Sequence, residues 1–167
     1  APAAGRRPLV AHTRPHLTQR EIEMKLSGSY EFDAAPEKVW QTLTNPDSLS
    51  ACIPGCEKME SLGNDEYSAT VTIAMGPIRS KFDAKVKMVD MKPYESYSLI
   101  IEGNGRSGFV KGESQVTLTE NNGKTTVNVE SESSSGGLLA RVGQRMMESF
   151  ARNMMDRFFT CLQQSLK

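Results

Sequence analysis

The side chains in this sequence that could do covalent, metal or proton-transfer chemistry are three cysteines, two histidines and a scatter of carboxylates. Cys52 and Cys56 bracket Ile53-Pro54-Gly55, a C-x3-C spacing. Structural metal sites of this kind usually need a second pair, and only Cys161 remains, far along the chain. A regulatory disulfide is one reading of Cys52 and Cys56. The reading adopted is that both are buried and act as small apolar side chains. Nothing in the cysteine usage points to an oxidising compartment. Glu66, Asp83 and Glu113 fall on faces predicted to point outward, where solvent leaves no burial to tune an acid or base. Gly103-Asn104-Gly105, followed by Gly108 and Gly112, lies between strands and opens no helix, so it lacks the amide cradle of a phosphate loop.

The histidines, His12 and His16, belong to a segment unlike the rest. Residues 1–23 carry Arg6, Arg7, Arg14 and Arg20 against Glu21 and Glu23, with Pro2, Pro8 and Pro15 and no apolar periodicity. Such a stretch reads as a disordered or tag-like extension, and it lacks the apolar run of a secretory signal. The patterned domain is expected over residues 24–167, and it contains no histidine. A Ser-His-Asp or Cys-His relay and a His-ligated zinc site are therefore excluded from it. The 167 residues suit one domain with a substantial core. Twenty basic and twenty acidic side chains cancel, which argues against nucleic acid as a partner. Uninterrupted apolar stretches such as Leu99-Ile100-Ile101 are far below the roughly 18 residues of a membrane span.

The elements that must position any site follow from periodicity. Leu26 to Phe32 reads as a strand; Pro36 opens a helix to Leu43, and Asn45-Pro46 caps and starts a second, shorter one through Leu49. The period then becomes two. Tyr67, Ala69, Val71, Ile73 and Met75 share one strand face; Ile78, Ser80, Phe82, Ala84, Val86 and Met88 share the next. Tyr97, Leu99 and Ile101 continue the series, and Val110–Thr119 and Thr125–Ser131 form a hairpin across Asn121-Asn122-Gly123. Gly136-Gly137 ends the strands, and Leu138 to Leu166 reads as one long helix with an apolar half. The predicted architecture is α+β: a curved antiparallel sheet gripping a long C-terminal helix.

Small residues (Ala69, Ser80, Ala84, Gly112, Ser114, Ser131) recur on the faces expected to meet that helix. Opposite them stand Met146, Met147, Met154 and Met155, with Phe150 and Phe158. Methionine adapts to varied apolar partners. The pattern fits either an apolar cavity or an ordinary core with the helix seated close, and pattern alone favours the core. The row Arg79, Lys81, Lys85 and Lys87 on the wet face reads as solvated charge that discourages edge pairing, with anionic lipid or an acidic protein as the alternative.

Ala51-Cys52-Ile53-Pro54-Gly55-Cys56-Glu57 closely resembles the hallmark of the carbon monoxide dehydrogenase G-subunit (CoxG) family. Gly76-Pro77-Ile78 with Phe82, Gly108-Phe109-Val110-Lys111-Gly112, Gly136-Gly137-Leu138 and Phe158-Phe159 follow in that family's order, so the resemblance covers Met24 to Leu166. It implies a START-like helix-grip fold, in which seven strands wrap a long helix around an apolar cavity. It also implies a non-catalytic accessory protein of molybdenum-containing carbon monoxide dehydrogenases and related hydroxylases, with membrane recruitment and handling of a quinone-like carrier as its roles. Many members continue past the long helix to an apolar anchor, whereas this sequence ends at Lys167. A cytoplasmic protein without a transmembrane segment is therefore expected, with membrane association as the alternative.

With the resemblance added, the cavity becomes the expected reading. Phe82, Val86, Leu99, Met147, Phe150, Met154 and Phe158 are its expected lining, with Tyr97 as a polar contact and Leu49, Ile53 and Pro54 at its mouth. The expected occupant is a lipid or quinone, and no metal or catalytic residue is assigned. Two other readings are an interaction adaptor docking on a molybdenum hydroxylase or a membrane without a ligand, and a START-like hydrolase or cyclase. For the last, the inward positions offer only Tyr67, Tyr97, Ser80, Ser114 and Ser131.

Overall fold

The structure, a computed structural model, describes residues 21–166. His12, His16 and the rest of residues 1–20 lie outside the described residues. Alternation of apolar and polar side chains builds seven strands: β1 (Glu21–Phe32), β2 (Cys56–Gly63), β3 (Glu66–Met75), β4 (Ile78–Lys92), β5 (Ser96–Gly105), β6 (Gly108–Asn121) and β7 (Lys124–Gly136). They form one sheet in the order β1-β7-β6-β5-β4-β3-β2, every neighbour antiparallel. Between β1 and β2 lie α1 (Pro36–Leu43) and α2 (Pro46–Cys52). Proline stands in the first turn of both, and the Asn45 side chain accepts the Asp47 N–H at 2.9 Å to cap α2. A 3-10 turn (Gly137–Val142) and the long α3 (Gln144–Ser165) complete a helix-grip architecture.

Several local readings change. β1 starts at Glu21, with Ile22 buried, three residues before the expected domain start at Met24. The expected turn after Pro54 leads into an additional strand, β2. Its sequence, CEKMESLG, offers Met59 as its one strongly apolar inward residue, so alternation does not reveal it. β7 runs on through Glu132-Ser133-Ser134-Ser135-Gly136, which carries no apolar signal but is paired on both sides. The helix expected from Leu138 is broken: Gly143 takes φ +95° between the 3-10 turn and α3, a conformation that favours glycine.

α3 runs alongside β1 in the same direction. Gln144 Nε2 donates to the Glu23 carbonyl at 2.9 Å, Tyr30 and Phe159 stack with centroids 4.3 Å apart, and Gln163 Nε2 donates to the Glu31 carbonyl at 2.7 Å. The core is therefore divided. One buried cluster, around Phe32, Val39, Trp40, Tyr97, Val127 and Leu162, fills the end beneath α1 and α2. A second, of Ile22, Met75, Phe82, Leu139, Ala140 and Met147, fills the end beneath the 3-10 turn.

Candidate functional site

Between the two clusters the concave face of the sheet is only half covered. Across the strands, in register, one row runs Leu26–Ser131–Ser114–Leu99–Met88 and the next Met24–Ser133–Gly112–Ile101–Val86–Tyr67. Met88 and Tyr67 are buried, and every other member of both rows is partly exposed. Leu26, Val71 and Ile101 on the sheet, and Met154 on α3, pack against neither buried cluster. α3 lies beside β1 and α2, and its Met147 and Phe159 join the buried clusters that hold Phe82, Met88 and Tyr97 of the central strands.

The expected lining residues divide between this band and its two ends. Val86 and Leu99 lie on the band, partly exposed. Phe150, Met154 and Phe158 follow one another at a spacing of four on the apolar arc of α3, also partly exposed. Phe82 and Met147 are buried in the cluster under the 3-10 turn, and Tyr97 is buried in the cluster under α1. Alternation places Leu26, Ile101 and Val71 on the same band, although sequence reasoning did not single them out as lining. Ser133 gave no usable signal, because its strand was expected to end at Ser131.

The band is polar on one side only. Ser114 Oγ and Ser131 Oγ hydrogen-bond at 2.6 Å on the β6–β7 side, beside Ser133 and Gly112. Tyr97 packs edge-on against Trp40 at 5.3 Å, and burial alone pushes its hydroxyl well above the usual phenol range. Among the described residues, the one Asp, Glu, Lys or Arg in the inward register of the seven strands is Glu120, exposed at the end of β6 and away from the band. Charged head groups would be desolvated there without a counter-ion, at a cost of several kcal/mol by the usual scale for buried ions. Neutral apolar molecules would instead meet methyl, methylene and thioether surface with hydroxyls at one edge.

Near the expected mouth the cysteine reading is corrected. Cys52, on α2, forms a disulfide with Cys161, on α3, with Cα atoms 5.4 Å apart. Cys56 keeps a free, partly exposed thiol. Spacing along the chain could not show this pair, because 109 residues separate its members. Leu49 is buried, and Ile53 and Pro54 are partly exposed. Ile53 and Pro54 line a surface cleft with all three cysteines, Asp156, Arg157 and Thr160. The turn there requires glycine: Gly55 has φ +83°, and a Cβ at this position would run into the Thr72 carbonyl. Thr72 N–H in turn donates to Gly55 O at 2.8 Å, which fixes the loop to β3.

On the convex face, cross-strand partners offset the lysine row. Lys87 sits opposite Glu66, Lys85 opposite Glu102, and Lys81 bridges Glu57 at 3.4 Å. Glu66 is partly exposed, and Asp83 and Glu113 are exposed. Among the described residues, no group of three or more His, Cys, Asp and Glu is arranged to hold a metal, and no helix is long and apolar enough to cross a membrane.

The family model described as the G subunit of carbon monoxide dehydrogenase (CoxG) matches residues 28–167. A conserved protein from Geobacillus kaustophilus superposes with a TM-score of 0.82 at 34% identity, covering 85% of this chain and 94% of that one. The Zhui aromatase/cyclase from Streptomyces sp. R1128 superposes with a TM-score of 0.63 at 11% identity, covering 86% of this chain and 93% of that one. A protein from Rhizobium leguminosarum gives a TM-score of 0.63 at 11% identity, over 87% of this chain and 98% of that one. The last two likenesses concern the fold alone. No curated protein matches the sequence.

Proposed function

From the premise that the chain belongs to the carbon monoxide dehydrogenase G-subunit (CoxG) family, we propose that it is a non-catalytic accessory protein that carries a neutral lipophilic molecule between its sheet and its long helix. The observation that carries this reading is the band of partly exposed apolar side chains between two fully buried clusters. Val86, Leu99, Ile101, Phe150, Met154 and Phe158 would contact the molecule. Phe82 and Met147 would close one end of the space, and Tyr97 the other. Leu49, Ile53 and Pro54 would flank its mouth. Burying an acyl or isoprenoid chain there would contribute roughly 25 cal/mol per Å2 of apolar area, less the cost of ordering the chain.

The absence of charged groups from the two rows of the band favours an uncharged head, such as a quinone or another carbonyl-bearing lipid, over a fatty acid or phospholipid. The Ser114–Ser131 pair offers that head hydroxyl contacts. The same arrangement offers no charged group for proton transfer, which favours carriage over turnover. The partner of such a carrier would be the molybdenum-containing dehydrogenase that gives the family its name.

The test is native mass spectrometry of the protein purified from its own host, followed by solvent extraction. Expected is a discrete mass above that of the chain, released as an uncharged lipid or quinone, and lost in Met154→Lys. That variant should stay folded, because Met154 packs against neither buried cluster. A native protein with no added mass, and an interior that excludes hydrophobic fluorescent probes, would overturn the proposal.

A further inference from the structure

We propose that the three cysteines form a thiol–disulfide relay, which moves the bond from Cys52–Cys161 to Cys52–Cys56 and so unpins the end of α3 from α2. The free thiol and the disulfide border the same surface cleft. Cys161 Sγ lies 3.9 Å from Ala51 O, and Cys56 Sγ lies 3.9 Å from Ser50 Oγ. Both sulfurs therefore touch the last turn of α2, which ends at Cys52. The chain between Cys52 and Cys56 folds tightly: Ile53 N–H donates to Leu49 O at 2.9 Å, and Cys56 N–H donates to Ile53 O at 3.1 Å. A bond of purely structural use needs no third thiol beside it.

The exchange balances within the chain. Cys56 gives up its proton, and its thiolate attacks Cys52 Sγ. The Cys56–Cys52 bond forms as the Cys52–Cys161 bond breaks, and Cys161 leaves as a thiolate that takes up the proton. One disulfide and one thiol remain, so no oxidant or reductant is consumed. Arg157 stands one turn before Cys161 on α3 and borders the same cleft, where a cation favours the departing thiolate. The carboxylate of the cleft, Asp156, is engaged by the Tyr30 hydroxyl at 2.7 Å.

Movement is confined to one side of the turn. Gly55 O is held by Thr72 N–H on β3, so the attacking residue is anchored to the sheet. The shift falls to Cys52, at the last position of α2, and to the end of α3. Phe159 and Leu162 flank Cys161 and pack into the cluster under α1 and α2, but after exchange no covalent bond ties them to α2. Ile53 and Pro54 lie in the turn that tightens. That the change widens the mouth of the carrier rests on the proposed function; the exchange itself does not.

Disulfide mapping of the full chain tests the relay. Protein held at mildly alkaline pH is sampled over time, its free thiols are blocked with N-ethylmaleimide in denaturant, and it is digested with pepsin in acid. Expected is a shift of label from Cys56 alone to Cys56 and Cys161, with a Cys52–Cys56 cross-link. One thiol per chain should persist, and the rate should not depend on protein concentration. Cys161→Ser isolates the product: Cys52 and Cys56 should pair in a glutathione redox buffer. In that paired form, amide exchange over residues 159–165 should quicken about tenfold or more, a local opening, whereas Cys56→Ser should keep the parent's rate. Label that stays on Cys56 overturns the proposal. So does failure of Cys52 and Cys56 to pair in Cys161→Ser, or exchange over residues 159–165 at the parent's rate in the paired form. Neither readout involves a bound molecule, so failure here leaves the carrier reading standing, and a protein without added mass leaves the relay standing.

Discussion

Tyr30 stands on β1 with its ring stacked on Phe159 and its hydroxyl donated to Asp156 Oδ1 at 2.7 Å. Burial, and then the bond to Asp156 and its negative charge, raise the phenol from 10.0 to about 12. A group raised in the fold stabilises it fully below its unfolded value, and that contribution disappears as pH rises through the folded value. Stability should therefore hold up to about pH 10 and fall between about 10 and 12. Tyr67 and Tyr97, also raised by burial, add to the loss with the same sign. Tyr30→Phe is expected to cost about 1 kcal/mol at neutral pH, the worth of one hydrogen bond, and to flatten the alkaline fall. Urea midpoints measured along a pH series check both effects. An unchanged alkaline slope in Tyr30→Phe would remove Tyr30 from the account. Asp156 is an exposed residue of α3, and helical periodicity has nothing to say about a bond from it to a tyrosine on another element.

Elements were legible in the sequence to the extent that each buried one face and exposed the other. β3 alternates through its whole length and β4 as far as Met88, before a register shift between Val89 and Lys92, and the inward sets are the expected ones. β2 and the second half of β7 escape because they are held by ladder bonds to neighbours and not by apolar side chains of their own. The band on the concave face was half legible. Alternation says which residues look inward, but the space left between them depends on where α3 sits, and no local pattern encodes that. The same applies to the bond between α2 and α3. Cys52–Cys161 joins residues 109 apart, and closing a loop of that size makes a disulfide worth about 4–5 kcal/mol through the restricted unfolded chain. Cys52→Ala/Cys161→Ala should lower the urea-derived stability by that amount, whereas Cys56→Ser should leave it nearly unchanged. Three titratable thiols in the native protein before any reductant is added would refute the bond.

At the scale of the whole molecule, α3 joins two buried clusters, one towards each end of the sheet. Met147, near one end of α3, is buried in the cluster under the 3-10 turn; Phe159 and Leu162, near the other, are buried in the cluster under α1 and α2, and Cys161 is tied to α2. Between them Phe150 packs against the cluster under the 3-10 turn and Phe158 against the cluster under α1 and α2, both partly exposed, whereas Met154 packs against neither. On the proposed function, a lipophile beside these side chains would stabilise the folded state by RT ln(1 + [L]/Kd), about 2.7 kcal/mol at a hundredfold excess over Kd, through contacts that their exposed surface would make with it. Stripping the protein with solvent should therefore loosen it unevenly. Amide exchange across residues 150–158 is expected to quicken about tenfold or more, a local opening below the global one. β7, paired on both sides and lined at its first half by the fully buried Thr125 and Val127, should keep its protection. Hydrogen exchange read by mass spectrometry on loaded and stripped protein separates the outcomes. A uniform change along the chain would mean a single continuous core, and an unchanged α3 would mean that nothing occupies the middle.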